Sequence, residues 1–187
     1  MRAGRVKFLP GSRLHYPVVV ESSGSREEVC LVLAFCGRGL YRPWIEIYAC
    51  NPMITVGGRS FKLADSMVEE ELINLLARYM RPGEPLYFEY VWDEETLKEA
   101  SMGVHPAFTR LGWQLLKKGF TWFKLWYYPE GFMEGAEKIQ AEKPINAERM
   151  RAHFEELRRE AERLIGAGFG KPSLRAREFL ARYASPG

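Results

Sequence analysis

A chain of 187 residues with 27 Lys and Arg against 24 Asp and Glu has a net charge of only +3, too slight and too scattered to imply nucleic acid. At 47% hydrophobic and 13% aromatic residues it can bury a sizeable core and is neither disordered nor collagen-like. No apolar run reaches the ~18 residues a membrane span needs, and the opening Met1-Arg-Ala-Gly-Arg-Val-Lys-Phe8 lacks a secretion signal's apolar core, so a cytoplasmic location is expected.

In chain order, Val18 to Glu21 and Cys30 to Phe35 read as two strands around a polar turn, Ser22 to Glu28. Trp44 to Cys50 makes a third strand, and Met53 to Val56 a short fourth between the turn signals Asn51-Pro52 and Gly57-Gly58. Cys30, Cys36 and Cys50 lie in apolar surroundings and are expected as buried, reduced thiols.

A helix is predicted from Ser66 to Met80, with Ser66 and Glu69 spaced as a capping box and Val68, Leu72, Leu75, Leu76 and Tyr79 on one face. Leu86 to Trp92 follows as a covered strand, then a short acidic turn or helix from Asp93 to Ala100. Pro106 starts a helix that carries Phe108, Leu111, Leu115 and Leu116 inward and stops at Gly119. The aromatic strand Thr121 to Tyr128 comes next, and 132–143 reads as helical.

Asn146 caps a long helix from Ala147 to Ile165 with a narrow seam of Met150, Phe154, Leu157, Ala161 and Leu164; a last helix spans Ser173 to Tyr183. The order gives an α/β domain over 1–143 and a helical C-terminal extension over 144–187. Abundant arginine with scarce Asn and Gln is compatible with a heat-loving, thermophilic source.

Two adjoining strand–helix units (44–50 with 66–80, 86–92 with 106–118) and the aromatic strand 121–128 resemble the second half of the GNAT acyltransferase fold. Leu115-Leu-Lys-Lys-Gly-Phe120 is similar to the leucine-rich helix end that GNAT enzymes place before Gly-Phe. The details also resemble an archaeal family catalogued only as a domain of unknown function, family 1122. The resemblance implies a mixed, mainly antiparallel central sheet with flanking helices, and acyl-CoA as co-substrate. The start of the first helix, Ser66, Met67 and Val68, would hold the cofactor's diphosphate on its amides. Two positions depart from that pattern. Val56 to Ser66 has glycines without the family's loop spacing, with Asp65 set to repel phosphate, and the position of the family's tyrosine acid is Leu115.

Several residues read as chemistry-bearing by themselves. Glu89, inside the covered strand, is costly to bury unless paired or protonated, which makes it a candidate general base. Glu46 follows the same logic; if the two strands are neighbours, both carboxylates face one cleft. Lys124 lies on one face between Trp122 and Trp126, suited to a planar or anionic ligand; the plainer reading is a lysine stem laid over the rings. Tyr128 offers a phenol as general acid. Asp93, with Glu94 and Glu95, stands where α/β proteins tend to bind ligands, as a receptor for a cationic amine or a metal, or as a solvated turn. His15, His105 and His153 are scattered, and no Cys-x-x-Cys or His-Glu-x-x-His spacing calls for zinc. Gly166 to Lys171 imitates a phosphate loop, but Pro172 replaces the required Ser or Thr.

The leading expectation is transfer of an acyl group to an amine, a small-molecule ligand. The alternatives are a non-catalytic binding or scaffold protein whose C-terminal helices form a homodimer face, and an S-adenosylmethionine methyltransferase, for which residues 75–88 resemble a late helix–strand passage.

Overall fold

A computed structural model of the chain describes residues 5–8, 15–22, 24–35, 44–48, 50–89, 91–127 and 136–183. Seven strands build one sheet: β1 (Arg5–Phe8), β2 (His15–Ser22), β3 (Ser25–Phe35), β4 (Trp44–Tyr48), β7 (Leu86–Glu89), β8 (Trp122–Tyr127) and β9 (Ala136–Glu142). Their order is β1-β2-β3-β4-β7-β9-β8, and a separate hairpin joins β5 (Met53–Val56) to β6 (Arg59–Lys62). Every pairing in the large sheet is antiparallel except β4 with β7.

The β2–β3 hairpin is tighter than its polar sequence suggests, with Ser22 opposite Ser25. Gly24 makes this possible with φ 83°, a backbone state most side chains resist. At a bulge in β3, Val29 and Cys30 are both fully buried. Cys30 is disulfide-bonded to Cys50, which corrects the expectation of free thiols at these two positions; Cys36 lies outside the described residues. Antiparallel pairing of β3 with β4 carries the segment after β4 back beside Cys30, a neighbourhood that spacing alone does not reveal.

Helix α1 (Met67–Tyr79) forms where the leucine spacing places it. It crosses between the parallel strands β4 and β7 and buries Val68, Leu72, Ile73 and Leu76 in the core shared by Ile47, Leu86 and Phe88. Helix α2 (Glu94–Ser101) is capped by Asp93. The helix expected from Pro106 divides in two. A 3₁₀ turn over Pro106–Phe108 ends at Thr109, whose hydroxyl caps α3 (Arg110–Leu116).

The largest departure is at 136–142, where the expected helix is strand β9, placed between β7 and β8. Ile139 and Ala141 are buried while Lys138, Gln140 and Glu142 share the opposite face. Two waiting ladders override the local preference of Ala136-Glu-Lys-Ile-Gln-Ala-Glu142 for helix.

Helices α4 (Ala147–Ala167) and α5 (Lys171–Tyr183) pack on each other. Their Leu157, Ala161, Leu164, Ala176 and Phe179 join the same core. Arg175 donates to Glu99 (2.7 Å) and to the Phe108 carbonyl (3.0 Å), and His153 meets the Thr121 hydroxyl at 2.8 Å. Among the described residues no helix is long and apolar enough to cross a membrane.

Candidate functional site

Among the described residues the parallel ladder between β4 and β7 pairs Ile45 with Leu86, Glu46 with Tyr87 and Ile47 with Phe88. On their other sides β4 pairs with β3 (Tyr48 opposite Leu31) and β7 with β9 (Glu89 opposite Lys138). The Asn51 amide extends the β3–β4 pairing by donating to the Val29 carbonyl at 2.9 Å, and the Cys30–Cys50 bond holds the same strand pair together.

The face opposite the core carries the polar residues of this region. In one rung Glu46, Tyr87, Gln140 and Lys124 lie side by side, and in the next Glu89, Lys138 and Trp126. Lys138 Nζ donates to Glu89 Oε1 at 3.0 Å and lies 3.4 Å from Glu46 Oε1. It also sits 4.5 Å from the centre of the Tyr87 ring. Burial pushes the Glu46 carboxyl above its ordinary value, a hydrogen bond with Glu89 adds to this, and Lys138 opposes both. Burial also raises the Tyr48 and Tyr87 phenols. Farther along, Trp126 donates its indole N–H to Gln140 (2.9 Å), and Gln140 donates to Glu142 (2.9 Å). Lys124 Nζ stands 3.7 Å over the Trp126 ring, as a stem laid across an aromatic surface.

The start of α1 is organised by a buried guanidinium. Ser66 Oγ accepts from the Glu69 amide (3.1 Å), but the Glu69 carboxylate turns away from the cap. It receives Arg110 through both nitrogens, at 2.8 and 2.7 Å, and the Trp92 indole at 2.7 Å. Arg110 also reaches Asp65 (2.9 Å) and Asp93. Burial pulls Arg110 down, and Glu69 and Asp93 more than reverse this, so the guanidinium is held above its ordinary value and stays charged. Arg110 thus ties together the first turns of α1, α2 and α3.

Among the sequence candidates, Glu46 and Glu89 meet on one cation. Ser66, Met67 and Val68 open α1. Asp93 is 4% exposed and holds Arg110, the Thr96 hydroxyl and the Glu95 amide, which makes it an anchor inside the fold rather than a receptor on its surface. Lys124 and Trp126 sit at the sheet's edge. Tyr128 lies outside the described residues. His105 is neutral around pH 7, since burial lowers it to about 4, and its Nδ1 accepts from the Ala107 amide. Among the described residues no cluster of three His, Cys, Asp or Glu could hold a metal ion. Sequence reasoning missed Lys138, hidden in a segment that reads as helix, and Arg110, whose burial has no local signal.

The model of a protein family described as "Protein of unknown function (DUF1122)" matches residues 7–168. A crystal structure of a protein of unknown function from Aquifex aeolicus VF5 is similar over 99% of this chain and 93% of its own, with 30% sequence identity and a TM-score of 0.70. No curated protein matches the chain.

Proposed function

We propose, for a chain that belongs to the DUF1122 family, the activity of a GNAT-like N-acyltransferase that moves an acyl group from an acyl-CoA thioester to an amine. The observation that carries this reading is the convergence of Glu46 and Glu89 on one cation across the parallel pair β4 and β7. The strand order, with its single parallel pair at the centre, supports the same fold relationship.

In this reading Glu46, whose affinity for a proton is raised by burial, accepts the proton that the amine nitrogen loses as it forms the amide bond. Glu89 shares that proton through its hydrogen bond with Glu46. Acyl-CoA supplies an activated carbonyl: its C–S bond would break as the C–N bond forms, and the departing thiolate would take up the proton that the amine gave to the Glu46–Glu89 pair. The amides of Ser66, Met67 and Val68, at the positive end of α1, would hold its diphosphate. The surroundings suit it only in part: Arg110 engages Asp65 and Glu69, yet with Asp93 three carboxylates face one guanidinium. That acidity favours the second reading, a non-catalytic protein that binds amines on the same fold.

Titration calorimetry with acetyl-CoA, a long-chain acyl-CoA and S-acetylpantetheine, which lacks the nucleotide diphosphate, tests the proposal. Binding of a thioester followed by amide formation with a primary amine supports it. Absence of binding to all three by folded protein removes the enzyme and leaves the amine-binding reading.

A further inference from the structure

The Lys138 ammonium is held in the way a protein holds a bound cation. Two carboxylates approach it, at 3.0 Å (Glu89) and 3.4 Å (Glu46), and the Tyr87 ring offers its electron-rich face at 4.5 Å. The Glu46 contact is longer than a good N–H···O bond, so the tethered nitrogen does not fill the seat well. Burial and the Glu89 hydrogen bond raise the Glu46 carboxyl above its ordinary value, and Lys138 opposes both. Solvent reaches the cluster, whose side chains are 15–21% exposed.

We infer that Glu46, Glu89 and the Tyr87 face form the seat for the ammonium group of an unhindered primary alkylamine, and that Lys138 is the internal occupant such an amine displaces. This rests on the reading of the site as the place where an amine is received, and does not require acyl transfer. The exchange is one cation for another, so the charge held in the seat is unchanged. Selection follows from the same geometry. Two carboxylate contacts need N–H donors, which a tetramethylammonium ion lacks, and the ring face needs a positive charge, which propanol lacks. Lys138 swings out on a flexible four-carbon stem. Its tether makes it a competitor at a local concentration of roughly millimolar or more, which weakens the apparent affinity for free amine.

The test is calorimetric titration of the whole chain with propylammonium. Lys138→Met should bind it at least ~10-fold more tightly than the unmodified chain, and adding Glu89→Gln should abolish that gain. Tetramethylammonium and propanol should show no gain. Equal or weaker propylammonium binding by Lys138→Met overturns the proposal. Should that variant fail to fold, nitrogen-15 NMR of lysine-labelled unmodified protein decides. Saturating propylammonium should move the Lys138 Nζ resonance to the position of a solvent-exposed lysine, and an unmoved resonance overturns the proposal. Amine binding without acyl transfer would leave this inference standing and remove the transferase. Acyl transfer with the same amine KM in both proteins would do the reverse.

Discussion

Replacing Arg110 by Met tests whether one buried guanidinium holds three helix starts together. Arg110 is 4% exposed, and Glu69 and Asp93 are 3% and 5% exposed at their side chains. The substitution leaves two buried carboxylates without their cation. Among the described residues Glu69 keeps the Trp92 indole as its side-chain donor, and Asp93 keeps Thr96 and the Glu95 amide. Asp65 is 69% exposed and contributes little. Breaking a buried pair by removing one partner costs about 3–5 kcal/mol, more than a lost hydrogen bond, because the stranded charge pays its desolvation uncompensated. In a protein of this size that corresponds to a fall in Tm of roughly 6–20 °C. Urea unfolding followed by tryptophan fluorescence measures the loss directly. Adding Glu69→Leu should restore part of it, since the pair acts as a unit. A single variant within ~1 kcal/mol of the unmodified chain would refute the clamp.

Gly112→Ala places a methyl 2.7 Å from the Pro106 carbonyl carbon and closer still to its oxygen; with backbone on the other side, a loss of about 3 kcal/mol or more is expected in the same urea assay. His105 binds its proton less readily folded, at about 4 against an ordinary 6.5, so the unfolded chain takes up more protons between those values. Stability should therefore fall as pH drops through that window, by up to about 3 kcal/mol, and His105→Asn should flatten this part of the pH–Tm curve. Glu46 has the opposite sign: its folded carboxyl is raised above the ordinary 4.5, so its proton stabilises the fold at low pH and that contribution is lost as pH rises. Glu46→Gln should melt higher than the unmodified chain at neutral pH, with the gap closing near pH 4 to 5. Reduction of the Cys30–Cys50 bond, separated by 20 residues, should cost about 3 kcal/mol, and thiol titration should count two more reactive thiols after reduction than before.

Helix α1 was readable from sequence because two local signals agree: leucines at helical spacing and a Ser66 cap that bonds the Glu69 amide. Glu69 shows where local reading stops. Its position suits a capping box, yet a guanidinium 41 residues away claims its carboxylate. The convergence of Glu46 and Glu89 was legible on the condition that their strands are neighbours, which the pairing of Glu46 with Tyr87 meets. Lys138 was not, because every residue around it favours a helix and only the gap between β7 and β8 makes it a strand. The Cys30–Cys50 bond depends likewise on strand pairing between distant segments.

Strand β9 arrives in the chain after β8 yet lies inside it, against β7. Until it inserts, both neighbours present unpaired backbone, so a nascent or truncated chain ending before residue 136 would carry two adhesive edges, prone to pair with other molecules. The same late arrival delivers Lys138. Assembly of the cation seat is thereby coupled to closure of the sheet, and a half-folded molecule has carboxylates but no internal counter-ion to guard them.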